Sequence, residues 1–258
     1  LCDWSSDVCS SDLSPTSFIF STHNTVAAQI ALLLQCNNYN FTHTHRGLSF
    51  ENSLLDAMMF LNDQPDANVL AGATDEITTT SFTILERLGG ISHEVKAGSV
   101  FNNKTKGFRA GEGSAFFMLN SKPHENNLAK LVAADTFSNP ENNGEVLERV
   151  RKFSAEHQIT SDDFILAGIN GDASGDEIYH VILNDIFRNN TTGMYKHLCG
   201  EYHTASAFAC WLSAFMLKER KVPEIILDAN SHGIAPKRIL ILNHYKGREY
   251  SMMLLEKC

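Results

Sequence analysis

The stretch formed by residues 37–57 constrains the fold of this chain more than any other part of the sequence. Apolar Tyr39 and Phe41 alternate with polar residues, which predicts a short strand. Gly47 then interrupts the alternation. The apolar residues that follow recur at helical spacing, at Phe50, Leu54, Leu55, Met58 and Leu61. Many α/β enzymes use a strand, a tight turn and a buried helix to hold a nucleophile at the helix N-terminus. The turn here reads HTHR, without Cys or Ser at its tip.

The first thirteen residues, LCDWSSDVCSSDL, differ in character from the rest of the sequence. They repeat Ser-Ser-Asp, carry two of the six cysteines and show neither a helical nor a strand period. The string resembles translated sequencing-adapter read-through, and the alternative is a disordered native tail. We therefore leave it out of the fold prediction. Because the sequence does not begin with Met, we also expect a fragment of a longer protein.

The overall composition excludes several classes of function. The 258 residues carry a net charge of −9, which argues against a nucleic-acid partner and against an anionic membrane surface. No apolar run approaches the roughly 20 residues needed to span a bilayer. The cysteines after residue 13 have spacings that fit neither a metal site nor a disulfide framework. With no secretion signal, we expect reduced thiols and a cytoplasmic protein.

Strand and helix patterns alternate along the remaining chain, which predicts an α/β layered fold. Helical spacing predicts helices over 24–35, 79–88, 144–158, about 173–187 and 204–217. Short apolar or alternating runs predict strands over 68–74, 114–119, 128–137, 164–169, 238–243 and 250–255. Residues 92–106 are polar and loop-like, and the polar connector 120–127 is the expected boundary between two halves. The glycine-rich turn 107–113 precedes a strand rather than a helix, which disfavours a nucleotide site.

Five of these segments, in order, resemble the β-ketoacyl synthase family. Residues 24–57 resemble the segment that runs through the active-site cysteine, and 68–76 the glycine-rich strand that follows it. The KGFRAGEGSAFFML segment, 106–119, resembles the Gly-Phe…Gly-Glu-Gly signature and its strand. Residues 164–176 occupy the place of the first histidine motif, and 195–217 that of the Lys…Gly-His motif with its long helix. Within the family, the sequence most resembles chain-length-factor-like, aryl-polyene and flexirubin-type proteins.

The resemblance implies a thiolase-like fold, a five-layered α-β-α-β-α arrangement of two similar halves. Residues 14–125 would form the remainder of an N-terminal half that is incomplete at its start, and residues 126–258 the C-terminal half. The resemblance also places His45 at the position of the nucleophilic cysteine, Asn170 at the first catalytic histidine and Glu201 at the second. Lys196 matches the family's lysine. We hypothesise that these four side chains form a closed polar network that fills the former active site.

With these residues at the positions that the resemblance implies, the chain would lack the groups that carbon–carbon bond formation requires. A condensing enzyme needs a thiolate to hold the acyl chain and two imidazole donors to stabilise the enolate. A carboxylate at 201, about 4 Å from an enolate, would repel it by roughly 4 kcal/mol at an effective dielectric near 20. This repulsion would slow the condensation step by about a thousandfold.

Several simpler interpretations remain open for the same residues. His45 would then be a turn residue, His43 and Arg46 solvated or packing groups, and Lys196 a salt-bridge lysine. Cys36 or Cys199 would supply an alternative thiol, although a free Cys is more often a small buried hydrophobe. His23 and His203 have no spacing that indicates a metal site.

The resemblance implies a ketosynthase-like subunit of fatty-acid or polyketide-type, aryl-polyene-like chain elongation. Such a chain-length-factor-type subunit would not condense; it would pair with a complete 3-oxoacyl synthase as a heterodimer, or with itself as a homodimer. Residues 68–74 would lie at the dimer interface. An acidic acyl carrier protein would dock on Lys104, Lys106 and Arg109, and no cofactor or metal is expected. Two alternatives stay open: an acyl-transferring or thioester-cleaving enzyme with a rewired His45/Glu201 centre, and a fragment that does not fold alone.

Overall fold

A computed structural model of the chain describes residues 22–93, 106–228 and 233–258. It divides into two compact units, with the division between Thr44 and His45. The first thirteen residues, and the part of the predicted polar loop that includes Lys104, lie outside the described residues.

The described part of the first unit consists of helix α1, Thr25–Leu33, and an irregular segment up to Thr44. Helix α1 carries no charged residue, and Asn24 stands at its N-cap without a capping hydrogen bond from its side chain. The helical spacing of its apolar residues predicts a buried face made of Val26, Ala27, Ile30, Ala31 and Leu34. This prediction is wrong, because no residue of α1 is buried and Val26 and Leu34 are exposed. The strand predicted at 39–42 is also wrong. A strand requires a partner for its backbone groups, and none of the described strands pairs with these residues.

The second unit contains the remaining described helices and strands. Its helices are α2 Ser49–Asp63, α3 Thr79–Arg87, α4 Asn143–Glu156, α5 Ala173–Asp185, α6 Lys196–Cys199 and α7 Ala205–Glu219. Its strands are β1 Asn68–Asp75, β2 Gly113–Asn120, β3 Lys130–Ser138, β4 Phe164–Ala167, β5 Thr192–Met194, β6 Arg238–Tyr245 and β7 Glu249–Glu256. Short 3-10 turns add Arg46–Leu48 and Glu224–Ile226.

The strands form two sheets. The larger sheet has the order β3-β7-β6-β4-β5, in which β4 runs parallel to β5 and β6, while β7 runs antiparallel to β3 and β6. The smaller sheet is the antiparallel pair β1–β2, with Leu70 opposite Met118 and Gly72 opposite Phe116. The carboxyl ends of the parallel strands β4 and β6 meet at one edge of the larger sheet, where loops collect functional side chains.

Two apolar cores cover the two faces of the larger sheet. One contains Leu240 and Leu242 of β6 together with residues of α4 and α5. The other contains Ile239 and Ile241 together with α2, α7 and the inner face of β1–β2. Alternate residues of β6 thus enter opposite cores, as a strand buried on both faces requires.

Most of the predicted elements are confirmed, with ends that shift by a few residues. The apolar run 68–74 also predicts that β1 is a buried strand. This is wrong, because Ala71 is its only buried residue and Leu70 is 40% exposed. The sequence pattern missed β5 and α6, which span three and four residues and are too short to show a period. Within the described ranges, no helix combines the length and apolar character needed to cross a bilayer.

A buried polar cluster as candidate functional site

A close crossing of two backbone segments brings Glu201 into the interior. Gly200 ends α6 with φ +78°, a conformation that favours glycine. Glu201 then donates its N–H to Arg109 O, and its carbonyl accepts from Gly111 N–H. A side chain at Gly111 would place its Cβ 1.9 Å from the carbonyl oxygen of Cys199. Glycine at 111 is therefore what allows the segments to touch and fixes the backbone at 201.

The carboxylate of Glu201 is held by two donors in a nearly dry environment. Lys196 Nζ lies 2.7 Å from Glu201 Oε2, and the two side chains are 1% and 3% exposed. Asn170 Nδ2 donates to the same oxygen. A buried charge pair is tolerated when further hydrogen bonds complete it, and Asn170 supplies that bond here. The three groups form a self-contained cluster.

Asp176 fixes the loop that carries Asn170. Its two carboxylate oxygens accept the backbone N–H groups of Asn170, at 3.0 Å, and of Gly171, at 2.7 Å. Asn170 Oδ1 in turn accepts from Asp172 N–H at 2.9 Å, which leaves its amide nitrogen directed at Glu201. Burial raises the pKa of Asp176 to about 6, although these backbone donors and Lys196 oppose the shift. Sequence reasoning missed Asp176; its signal is an acid in the first turn of the helix that follows Asn170.

The structure brings together three of the four proposed site residues and leaves His45 outside the cluster. His45 is exposed, and its Nδ1 is 3.2 Å from the side-chain nitrogen of Asn52. Among the described residues, no hydrogen bond joins it to Asn170, Lys196 or Glu201. The 3-10 turn that follows His45 buries Gly47 and Leu48 instead. The network therefore closes without His45.

The turn before helix α2 is occupied by the chain's own β6–β7 hairpin. Gly47 N–H donates to Glu249 Oε2 at 2.8 Å. A Cβ at position 47 would lie 2.3 Å from Tyr245 Cβ, so no side chain fits there without movement. The sequence predicts that a Lys246-Gly247 turn joins the last two strands, and this turn is confirmed. The contact of Tyr245 and Glu249 with Gly47 was not predicted. Tyr245 and Glu249 thus close the start of α2 at Gly47, whereas His45, where the nucleophile was expected, remains exposed.

A cavity of about 380 Å³ opens above the cluster, at the carboxyl ends of β4 and β6. Its lining residues include Asn170, Glu201, Phe108, Asp172, His244 and Tyr245. Burial lowers the pKa of His244 to about 4, so the ring is neutral at pH 7. Its Nε2 is 2.8 Å from Gly175 O and its Nδ1 accepts from Gly247 N–H, which assigns the proton to Nε2. His244 therefore serves as a structural link rather than as a free base.

The thiols nearest this region are poorly suited to nucleophilic chemistry. Burial raises the pKa of Cys199 to about 12, and its Sγ contacts the carbonyl of Gly200 at 3.3 Å. Cys210 is buried in the core, and its pKa is also raised to about 12. Cys36 is exposed in the first unit. Since the thiolate is the reactive form, neither Cys199 nor Cys210 is activated at neutral pH.

Within the part of the chain that the structure describes, no group of three or more His, Cys, Asp or Glu side chains is arranged to hold a metal ion. His203 makes a tilted ring contact with Tyr245, with centroids 4.6 Å apart, and His23 is exposed.

Comparisons with known proteins identify the fold. No family model matches the sequence, and no curated protein matches it significantly. This chain matches a solved structure of a type II polyketide synthase acyl-carrier protein in complex with its ketosynthase bound to the hexaketide. The TM-score is 0.77 at 16% sequence identity. That match covers 95% of this chain and 69% of the other. The fold is the thiolase fold of the ketosynthases.

Two further solved structures share this ketosynthase fold. A β-ketoacyl synthase from Burkholderia phymatum STM815 matches with a TM-score of 0.76 at 14% identity, over 96% of this chain and 69% of the other. A ketosynthase in complex with its chain length factor, from Xenorhabdus doucetiae, matches with a TM-score of 0.77 at 16% identity. That match covers 92% of this chain and 65% of the other. The predicted α/β thiolase-like class is confirmed.

Proposed function

We propose that this chain is a non-condensing, chain-length-factor-type subunit of fatty-acid or polyketide-type, aryl-polyene-like acyl chain elongation. It would pair with an active 3-oxoacyl-[acyl-carrier-protein] synthase. The observation that carries the proposal is the closed cluster around Glu201. Its carboxylate accepts from both Lys196 and Asn170, so the strongest donors of the site are satisfied by the chain itself.

Decarboxylative condensation needs donors that are free to meet a developing enolate. By the resemblance, Glu201 takes the place of such a donor, so a carboxylate would stand where a donor is needed. The ammonium of Lys196 beside it is already paired. The hairpin contact at Gly47 supports the same conclusion, because Glu249 occupies the N–H at that position. When the hydrogen-bond donors of a site are already bonded to groups of the same chain, the fold is kept. Such a site has little capacity to stabilise an oxyanion.

The proposed partners are a complete ketosynthase subunit, or a second copy of this chain, and an acyl carrier protein. Two of the structural neighbours are a ketosynthase with its chain length factor and an acyl-carrier protein with its ketosynthase, which supports this choice. By the resemblance, residues 68–74 would contribute to the dimer interface. Lys106 and Arg109 are exposed and available to an acidic carrier protein.

The test uses the purified chain with malonyl-loaded and octanoyl-loaded type II acyl carrier protein. We expect neither CO2 release nor a 3-oxoacyl product from the chain alone. We expect a stable complex, and a changed product length, when it is mixed with a type II ketosynthase that lacks its chain length factor. An active ketosynthase with an intact Cys-His-His centre serves as the control for substrate quality. Product from the chain alone, or an acyl adduct on His45 found by intact mass, would overturn the proposal and favour the rewired-enzyme alternative.

A further inference from the structure

The loop between β4 and α5 is held by one buried carboxylate. Asp176, in the first turn of α5, is only 4% exposed. Its Oδ1 accepts the N–H of Asn170 at 3.0 Å, and its Oδ2 accepts the N–H of Gly171 at 2.7 Å. Gly171 adopts φ +92°, a conformation that favours glycine. Successive backbone N–H groups that converge in this way favour an anion, and Asp176 supplies the negative charge from the same chain.

The same loop is bonded to two other segments of the second unit. The side-chain nitrogen of Asn170 donates to Glu201. Asp172 Oδ1 accepts the N–H of Gly107 at 3.2 Å. The segment that follows Gly107 in turn makes main-chain hydrogen bonds with residue 201. A displacement of the loop would therefore reach both the buried cluster and the glycine-rich turn.

The loop also forms part of the wall of the cavity of about 380 Å³. Asn170, Asp172 and Gly175 line this cavity, whereas Asp176 is not one of its lining residues. The carboxyl group of Asp176 thus lies behind the wall that its own hydrogen bonds hold in place. Any change in those bonds would alter the shape of the cavity.

A proton and the two N–H donors compete for the same oxygens of Asp176. A carboxylate accepts at both oxygens, whereas a protonated acid carries an O–H donor at one of them. That O–H would face a backbone N–H, which is also a donor. Burial raises the pKa of Asp176 to about 6, while the two N–H groups and Lys196 oppose the shift. Since the donors favour the ionised form, proton uptake must weaken them by the same free energy.

The charged and titratable groups that surround Asp176 come from α5, from the α6 segment and from β6. They are Asp172, Tyr179, Lys196, Glu201 and His244. Burial lowers the pKa of His244 to about 4 and raises that of Tyr179 well above its ordinary value. Neither ring therefore changes its protonation between pH 5 and pH 7.5. The ammonium of Lys196 stays 2.7 Å from the carboxylate of Glu201 and is not available to hold the loop.

We propose that Asp176 is a proton-dependent latch on this loop. One proton from solvent adds to a carboxylate oxygen, the N–H bonded to that oxygen loses its acceptor, and the loop loosens. Asn170 then leaves Glu201, and the cavity changes shape. In the ionised form the loop is closed and the cluster around Glu201 is complete. The latch acts on the shape of the site and does not depend on whether the chain catalyses condensation.

The test is an NMR titration of the whole 258-residue chain from pH 7.5 to pH 5. The carboxyl carbon of Asp176 reports its own protonation, and the backbone amides of Asn170, Gly171 and Gly107 report the loop. Amide exchange, corrected for the intrinsic effect of pH, reports their protection. We expect the carboxyl carbon and the three amides to shift with one common midpoint near pH 6. The amides of Asn170 and Gly171 should lose protection below that midpoint.

Two variants separate the latch from other titrating groups, since histidines in general change charge in a similar range. Asp176→Asn imitates the protonated acid, because an amide keeps one acceptor oxygen and carries a donor beside it. The loop titration should disappear in this variant, with low protection already at pH 7.5. Glu177→Gln removes an exposed acid at the next position and is the matched control, so it should leave the titration unchanged.

Three results would overturn the latch. The carboxyl carbon of Asp176 could titrate while the amides of Asn170 and Gly171 stay protected. The amide shifts could persist in Asp176→Asn, which would assign them to another group. The carboxyl carbon could also show no titration between pH 5 and pH 7.5. If Asp176→Asn does not fold, the presence or absence of a common midpoint in the unchanged chain still decides.

Discussion

Lys196 and Glu201 form an ion pair, 2.7 Å between Nζ and Oε2, in which both side chains are almost completely buried. They are five positions apart along the chain, and a short helix with a glycine at its end brings the two groups face to face. The pair has a direct consequence for stability, because a buried charge without its partner is costly.

We expect Lys196→Met to lower the free energy of unfolding by about 3–5 kcal/mol, since Glu201 would be left buried and unpaired. The double variant with Glu201→Leu should recover much of this loss. Lys152→Met is the matched control, because Lys152 and Glu156 form an exposed pair 3.8 Å apart. Lys152→Met should lower the free energy of unfolding by no more than about 0.5 kcal/mol. Urea unfolding measures all three, and equal effects of Lys196→Met and Lys152→Met would contradict the cluster.

Gly47→Ala should destabilise the protein by about 1–3 kcal/mol, because the new methyl group would collide with Tyr245. Gly233→Ala provides the comparison, since a Cβ there meets no atom within 4 Å and should change stability little. Thermal unfolding of the two variants measures the difference. Similar melting temperatures for both would show that the hairpin does not close the start of α2.

The buried carboxyl group of Glu51 should make the stability of the protein depend on pH. It is fully buried in the first turn of α2, where its Oε1 accepts from Ser251 Oγ at 2.7 Å, and burial raises its pKa above the ordinary value of 4.5. Below that value both the folded and the unfolded carboxyl are protonated. As the pH rises, the unfolded state loses its proton first, so stability falls until the pH passes the folded pKa.

Glu51→Gln should therefore become more stable relative to the unchanged protein as the pH rises above about 4.5. Chemical denaturation at a series of pH values gives this difference directly. Glu148→Gln, on the exposed face of α4, should give a difference that does not grow with pH. A flat difference for Glu51→Gln would mean that its carboxyl ionises equally well in both states.

Thiol labelling tests the inert character of Cys199. Its buried sulfur has a pKa raised to about 12, so we expect little reaction with iodoacetamide at pH 8 in the folded protein. The exposed thiols of Cys36 and Cys258 should react under the same conditions, and all three should react after unfolding. Peptide mass mapping identifies the labelled positions. Rapid labelling of Cys199 in the folded chain would restore it as a candidate nucleophile.

Sequence patterns predicted burial correctly where it depends on the spacing of apolar residues along one helix. Phe50, Leu54 and Leu61 recur at helical spacing and are buried on α2 as expected. This prediction succeeds because neighbours along the chain determine the outcome. The closeness of Lys196 and Glu201 was instead expected from the family resemblance, and the structure places the two side chains in contact.

Other features depend on partners distant in sequence and could not be read from local patterns. Nothing near Gly47 indicates that Tyr245 and Glu249, about 200 positions later, close its turn and that His45 stays outside the buried cluster. The pattern at 39–42 alternates like a strand, yet pairing decides whether a strand forms. The exposure of Leu70 in β1 likewise depends on what covers the sheet rather than on the residues of β1.

The touching backbones at Gly111 and Gly200 have a consequence for how such a site can change over time. Because hydrogen bonds of the main chain hold residue 201 in place, its location does not depend on which side chain it bears. The scaffold can thus accept an imidazole, an amide or a carboxylate at one fixed point in space. A change of residue there would alter the chemical group presented at that point while the architecture around it stays the same.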